Sequence, residues 1–203
     1  MNSSIAKTGA LIQAAAVIAF AVFMIIDFDF GSYIVCMFIA LGFVMMISGF
    51  HAECDKEHKA AANTALILSG IYAVLILIVY FAQTTAVRLD SLSNEALKII
   101  DYQRYGLYFS YDLLGYGIMA LATFFIGLAF KAHTKQDKWL KALLLIHGIF
   151  FICCFILPML GLFNSQNASS DWIGTLVLEF WCLYYLPICI LSYRHFSIKN
   201  NTK

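Results

Sequence analysis

One carboxylate stands inside an apolar stretch of the chain, and its chemistry needs an explanation. Asp112 occurs in YFSYDLLGYGIMALATFFIGLAF, residues 108–130, which is apolar enough to cross a bilayer. In a helix, residues at intervals of three and four share one stripe, and this stripe holds Tyr105, Tyr108, Asp112, Tyr116 and Met119. An acid among tyrosine rings suits a cation or an amine, because desolvated ring faces add about 0.5–2 kcal/mol of attraction.

Other polar side chains are predicted to lie at a similar depth in neighbouring apolar segments. Glu179 lies in the last such segment, and Gln83 lies in the final turns of the third, which Arg88 caps. At a rise of about 1.5 Å per residue, both acids lie roughly 10 Å from the same membrane surface. Because ionisable groups inside a membrane are costly and mark functional sites, we predict an outward-facing acidic vestibule. Its predicted ligand-binding residues are Asp112, Glu179, Tyr108, Tyr116, Gln83 and Arg88.

Structural roles for the two acids are the alternative. Asp112 could pair with Arg88 or Arg104, or cap a helix that starts later than predicted. Glu179 could be a protonated or tyrosine-bonded structural residue. Either acid could also carry protons, since burial favours the neutral form of a carboxyl group.

The composition indicates an integral membrane protein. Of the 203 residues, 62% are hydrophobic and 12% are charged, whereas soluble domains are about 45–50% apolar and about 25% charged. The formal net charge of +1 does not indicate the strongly basic surface that binding of nucleic acid requires. We therefore predict a single domain, residues 1–203, whose main partner is the lipid bilayer.

Six segments are long and apolar enough to span a bilayer, which needs about 20 residues each. Lipid offers no partner for backbone groups, and the segments lack the alternation of a barrel, so the predicted fold is an all-α polytopic membrane bundle. The predicted spans lie near residues 8–26, 33–50, 64–87, 106–130, 139–163 and 172–196. The outer loop, residues 88–105, has apolar residues at helical spacing, which predicts a short interfacial helix that serves as a tether or a lid.

The positive charges predict the orientation. Ten of the 13 lysine and arginine residues fall on the side of the two termini, and only Arg88, Lys98 and Arg104 fall on the other side. Cytoplasmic loops carry the excess of positive residues. Both termini are therefore predicted to be cytoplasmic, and the protein is predicted to reside in the cell membrane.

Histidine and cysteine residues after the second span suggest a metal site. His51, Cys54 and His58 are spaced three and four apart, so all three share one face if the helix continues past Phe50. Imidazole and thiolate are zinc ligands, and His133 or His195 could add a fourth. A solvated helix end is the favoured interpretation, since the spacing matches no standard motif and charged Lys56 and Glu57 lie among the candidate ligands.

Two packing features are also predicted. A stripe of small residues on the fourth span lets helix backbones approach closely; it consists of Ser110, Gly117, Ala120, Thr123 and Gly127. His147 stands alone in the fifth span, and a hydrogen-bonded packing residue is its predicted role.

The sequence lacks HExxH, GxSxG, P-loop and GxGxxG motifs, so neither catalytic residues nor cofactors are predicted. The preferred prediction is a multi-pass protein that binds or transports a small solute, cation or proton through the acidic vestibule. The first alternative is an accessory or scaffold protein that docks another membrane protein, or a second copy, through the small-residue stripe. The second alternative is a metal-dependent membrane enzyme that uses the histidines.

Overall fold

The computed structural model describes residues 1–161 and 171–200, and most of these residues are helical. The helices are α1 (Asn2–Ile25), α2 (Asp29–Glu53), α3 (Lys59–Ala82), α4 (Asn94–Ile100), α5 (Leu107–Ala129), α6 (Lys135–His147), α7 (Ile149–Met159) and α8 (Asp171–Asn200). Helix α3 continues through a π-helical turn, Gln83–Val87, and a 3-10 turn, Tyr102–Arg104, lies between α4 and α5.

Six helical segments are long and apolar enough to cross a membrane: α1, α2, α3 with its π-helical turn, α5, α6 together with α7, and α8. This result confirms the predicted number of apolar spans and is compatible with a multi-pass membrane protein. Several helices begin some residues earlier than predicted, because helical geometry continues beyond the apolar run. The fifth span is divided at Gly148, which the sequence did not predict. The predicted end of that span, Phe163, lies outside the described residues.

The six segments form a closed ring in chain order. Helix α1 packs against α2 and α8, α2 against α3, α3 against α5, α5 against α6 and α7, and α6 against α8. Aromatic contacts cross the middle of this ring, from Phe43 of α2 through Tyr72 and Tyr116 to Trp181 and Tyr185 of α8. The centre of the ring is therefore filled by packed side chains.

The start of α1 and the end of α8 lie at the same end of the bundle. The Ser3 hydroxyl donates a hydrogen bond to the carbonyl oxygen of Phe196 at 3.1 Å, which joins the start of α1 to the end of α8. At the same end, an ion pair between Asp55 and Lys131 joins the α2–α3 connection to the α5–α6 connection. We call this end the termini end, and we call the opposite end, with the α1–α2 turn and residues 88–106, the loop end.

Small residues bring α1 and α2 close together. A Cβ atom added to Gly49 would lie 2.0 Å from the Cβ atom of Ala6, and one added to Gly9 would lie 2.6 Å from the carbonyl oxygen of Gly42. Such contacts leave no room for a side chain, and close backbone approach is how helices gain packing energy in a membrane.

The small-residue stripe of α5 also packs closely, as predicted. Its partners belong to the same chain: a Cβ atom on Gly117 would lie 3.2 Å from the Cβ atom of Cys154, and one on Gly127 would lie 3.1 Å from Leu145. Helices α6 and α7 thus cover these positions of the stripe.

We predict that Gly49→Ala destabilises the bundle by about 1–3 kcal/mol, the usual cost of overpacking. Gly70→Ala is the matched control, because a Cβ atom there meets no other atom within 4 Å, and we expect it to be neutral or to stabilise by up to about 1 kcal/mol. Thermal unfolding of both variants in detergent measures the difference. Equal unfolding temperatures for the two variants would contradict the proposed α1–α2 contact.

Candidate functional site

Asp112 is buried near the loop end of the bundle, where α5 meets α2 and α3. The residue is 3% exposed. The Tyr102 hydroxyl donates a hydrogen bond to Asp112 Oδ2 at 3.3 Å, and Tyr80 interacts with the same carboxyl group. The second oxygen, Oδ1, is buried and has no hydrogen-bond partner among the described residues. Part of the acceptor capacity of this carboxyl group is therefore unused.

Tyrosine rings from α2, α3 and the 3-10 turn close over Asp112. The centroids of Tyr33 and Tyr80 are 5.5 Å apart, those of Tyr33 and Tyr102 are 6.0 Å apart, and those of Tyr80 and Tyr102 are 5.8 Å apart. One helical turn further along α5, the Tyr116 hydroxyl donates to the Cys36 sulfur at 3.6 Å. Asp112 thus lies in a buried cluster of neutral groups that can donate protons or hydrogen bonds.

The two arginines that were candidate partners of Asp112 are engaged elsewhere. Arg88 donates from Nε to the carbonyl oxygen of Thr84 at 3.1 Å, and its guanidinium lies 4.7 Å from the centre of the Phe30 ring. Arg104 pairs with Asp101. Among the side chains that the structure describes, no lysine, arginine or histidine forms an ion pair with Asp112.

The segment between α3 and α5 covers Asp112, and hydrogen bonds of the Gln83 side chain hold this segment in place. Gln83 Nε2 donates to the carbonyl oxygen of Ile100 at 2.7 Å, and the backbone N–H of Tyr102 donates to Gln83 Oε1 at 3.1 Å. This two-bond clasp holds the Tyr102 ring in place. Burial, and the proximity of Asp112, raise the pKa of Tyr102 well above its usual value, so its hydroxyl remains a donor.

The chain reverses direction sharply between α4 and α5, and this reversal explains two backbone features. Tyr105 ends the 3-10 turn with φ of 55°, a left-handed conformation that reverses the chain. A Cβ atom on Gly106 would lie 2.1 Å from the carbonyl oxygen of Lys98, so glycine is required where the chain passes α4. The predicted interfacial helix is thus shorter than residues 88–105. It corresponds to α4, and its role as a tether or as a lid stays a prediction; we call residues 98–106, which include the 3-10 turn over Asp112, the lid.

The structure brings together three of the six predicted site residues. Gln83 contacts Tyr102, Tyr102 contacts Asp112, and Tyr116 lies one turn below Asp112 on the same helix. Tyr108 packs against Tyr111 at 6.1 Å and is not among the groups that touch the carboxyl group.

Glu179 lies on α8 and is partly exposed. Its Oε1 atom is buried and has no hydrogen-bond partner among the described residues. Trp181, two residues away, contacts the Tyr116 ring at 5.4 Å, and this contact connects that part of α8 to the Asp112 cluster. A vestibule shared by both acids stays a prediction.

Sequence reasoning missed Tyr33, Tyr80 and Tyr102, because tyrosines near span ends usually face the membrane interface. Tyr80 is only 3% exposed. A signal for its orientation was present: Tyr80, Gln83 and Thr84 share one helix face by their spacing, and two of them are polar residues within an apolar segment. Tyr102 had no comparable signal.

The predicted metal ligands at the termini end do not converge. Helix α2 ends at Glu53, and Cys54 has extended backbone geometry, so Cys54 leaves the helix face that carries His51. The side chains also have other partners: His51 lies 2.7 Å from Asn63 Oδ1, and His58 lies 2.8 Å from Asp55 Oδ1. The condition for a shared face, a helix that continues through His58, is therefore not met, and the three side chains do not share one face.

Asp55, Glu57 and His58 approach one another at the surface. Lys131 and His58 both bind Asp55 and hold the pKa of its carboxyl group well below the usual range. Asp55 therefore serves as an ion-pair partner that ties the α2–α3 connection to Lys131.

His147 is a satisfied core residue. Its Nδ1 atom lies 2.7 Å from Thr123 Oγ1, whose hydroxyl is within 2.7 Å of the Ala120 carbonyl oxygen. Trp181 donates from Nε1 to His147 Nε2 at 3.1 Å. Because the indole N–H can only donate, Nε2 accepts, and a neutral imidazole with its proton on Nδ1 satisfies every contact.

No protein-family model, curated protein or solved structure matches the chain. The fold and site define a class: a ring of six apolar helices, compatible with a multi-pass membrane protein, with a buried acid under a tyrosine lid. Its function is therefore inferred from the chemistry of its own side chains.

We predict that Gln83→Leu loosens the lid, because it removes both hydrogen bonds of the clasp. Two such bonds contribute about 2 kcal/mol, so amide hydrogen exchange of residues 98–106 should accelerate by roughly 30-fold. Gln136→Leu, at the exposed start of α6, is the control and should leave that exchange unchanged. Equal protection in both variants would show that Gln83 does not hold the lid.

Proposed function

We propose that the protein binds a proton or a small cation at Asp112 and moves it across the membrane. One observation carries the proposal: Asp112 is buried, has no positive partner among the described residues, and retains an oxygen without a hydrogen bond. An uncompensated charge costs several kcal/mol in apolar surroundings. A bound proton or cation removes that cost.

The tyrosines suit a group that changes its charge. Hydroxyl groups donate to a carboxylate when its proton has left, and they accept or rotate away when the proton returns. Tyr102 and Tyr80 are placed to do this. Because they are neutral in both states, they lower the cost of ionisation without fixing Asp112 in the charged form, as an arginine would.

Access to Asp112 is from the loop end. Among the described residues, the segment between α3 and α5 covers the site there, and the Gln83 clasp holds this segment with two hydrogen bonds. Toward the termini end, the ring of helices is filled by fully buried side chains, among them Phe43, Tyr72 and Phe50. In the proposed mechanism, this arrangement corresponds to a state in which the lid is closed and the path to the termini end is shut.

The positive-inside rule favours a cytoplasmic termini end, since ten of the 13 lysine and arginine residues lie on that side of the predicted spans. With this orientation, Asp112 faces the outside of the cell membrane. Glu179 remains a second predicted acid of the same outer region.

The scaffold alternative has less support. The contact surface that it required, the small-residue stripe of α5, packs against Leu145, Cys154 and Phe155 of the same chain. The metal-enzyme alternative relied on His51, Cys54 and His58, and these side chains have separate partners.

The proposal predicts that Asp112→Asn abolishes ion movement. Purified protein would be reconstituted in liposomes that contain a pH-sensitive dye, and an imposed membrane potential would drive proton flux. We expect flux to fall by at least about tenfold, because an amide can neither release a proton nor attract a cation. Glu95→Gln is the matched control, since it removes an exposed acid of α4 and should leave the flux unchanged.

Sodium and potassium fluxes measured with the same two variants cover the case of a cation other than the proton. A folded Asp112→Asn protein with unchanged fluxes, or a wild-type protein that moves none of the three ions, would contradict the proposal. Tyr102→Phe is a milder second variant that keeps the ring and removes the donor. Loss of a hydrogen bond to a charged group should change the flux by roughly tenfold.

A further inference from the structure

We infer that His195 is a second proton-binding site, at the termini end, and that its bound proton latches α2, α6 and α8 together. The inference goes beyond the proposed function of Asp112 and does not depend on it.

His195 lies between two carboxyl groups. Its Nδ1 atom is 2.8 Å from Asp137 Oδ1, and its Nε2 atom is 2.9 Å from Glu53 Oε2. Exposed fractions of the three side chains are 10% for His195, 8% for Asp137 and 20% for Glu53. The three residues belong to α8, α6 and α2, so one imidazole ring joins three separate helices.

Hydrogen-bond chemistry requires an extra proton on this group of three. An ionised carboxylate only accepts hydrogen bonds, and a neutral imidazole has a single N–H. Both contacts can therefore form only if the ring carries two protons or one carboxyl group is protonated. Asp137 accepts at Oδ2 from the backbone N–H groups of His133 and Thr134, which favours its ionised form. Glu53 is the other group that could carry the proton, but an imidazole is ordinarily a stronger base than a carboxylate, so the proton is assigned to the ring of His195.

The nearby basic side chains do not substitute for this proton. Lys141 of α6 donates to the carbonyl oxygen of Phe130 at 2.8 Å, and Lys7 of α1 lies 5.0 Å from the centre of the Tyr193 ring. His133 shares a surface groove with Asp137 and His195.

Two further basic or titratable residues lie on helices that carry the latch, α8 and α2. Arg194 of α8 is exposed, and His51 of α2 is bonded to Asn63. Among the described side chains, the charged groups in direct contact with His195 are its two carboxyl partners, and the groove gives solvent a route for proton exchange.

The His195 ring packs among aromatic rings, so a change at the latch also affects their packing. The His195 ring contacts Phe50, Phe130 and Phe196, with centroid distances of 5.9, 5.0 and 5.2 Å. Loss of the proton leaves a ring nitrogen lone pair facing a carboxylate oxygen, so one of the two contacts breaks. The hydrogen-bonded link from α8 to α2 or to α6 is then lost, and the aromatic layer around the ring loosens. The latch therefore holds at low pH and weakens as the pH rises.

Hydrogen exchange of the full-length protein in lipid nanodiscs tests the latch. Exchange would be followed in residues 48–54 and 190–198 between about pH 6 and about pH 8.5, a range that spans ordinary histidine titration, after correction for intrinsic exchange. We expect at least about tenfold loss of protection on raising the pH. His195→Gln should remove this pH dependence. His51→Gln, at the same end of the bundle, should retain it.

Glu53→Gln supplies an independent outcome if His195→Gln fails to fold. The new amide can donate to a neutral ring, so both contacts persist without the extra proton, and protection should be retained at high pH. A wild-type protein without pH-dependent protection, or a pH dependence that survives either substitution, would overturn the inference. Because both readouts concern the termini end, neither depends on whether Asp112 moves an ion.

Discussion

Burial of an acid without a counter-charge is the constraint on which the candidate site depends. A carboxylate in apolar surroundings is tolerated only if a proton, a cation or enough donors compensate its charge. Asp112 has the Tyr102 donor and the neighbouring Tyr80, and it lacks a basic partner among the described residues. The lid, the Gln83 clasp and the packed tyrosines all act on this one group, because they decide what can reach its free oxygen.

The charge of a buried acid is compensated differently at the two ends of the bundle. At the loop end, neutral hydroxyls surround a single acid, which leaves its charge free to change. At the termini end, His195 bridges two acids and can carry the compensating positive charge itself. Between them lie the fully buried Phe43, Tyr72 and Tyr185. This arrangement keeps the two ionisable groups apart, as a membrane barrier requires.

Properties that depend on local sequence were predictable, and properties that depend on tertiary contacts were not. Length and hydropathy defined the six spans, and the spacing of Gly117 and Gly127 indicated close packing of α5. The spacing of His51, Cys54 and His58 left a metal site open beside the favoured solvated helix end, because the end of α2 at Glu53 cannot be deduced from intervals of three and four. Asp112 stood out by its charge alone. Its contact with Tyr102 depends on how residues 88–106 fold back, which no periodicity reveals.

Infrared spectroscopy of the wild-type protein in lipid bilayers tests the central claim most directly. In neutral buffer without small cations, Asp112 should contribute the C=O stretching band of a protonated carboxyl group. That band should be missing in Asp112→Asn, and it should decrease in the wild-type protein when a small cation or alkali is added. An Asp112 that remains an ionised carboxylate in the cation-free buffer would contradict the account, since its charge would then need neither a proton nor a cation.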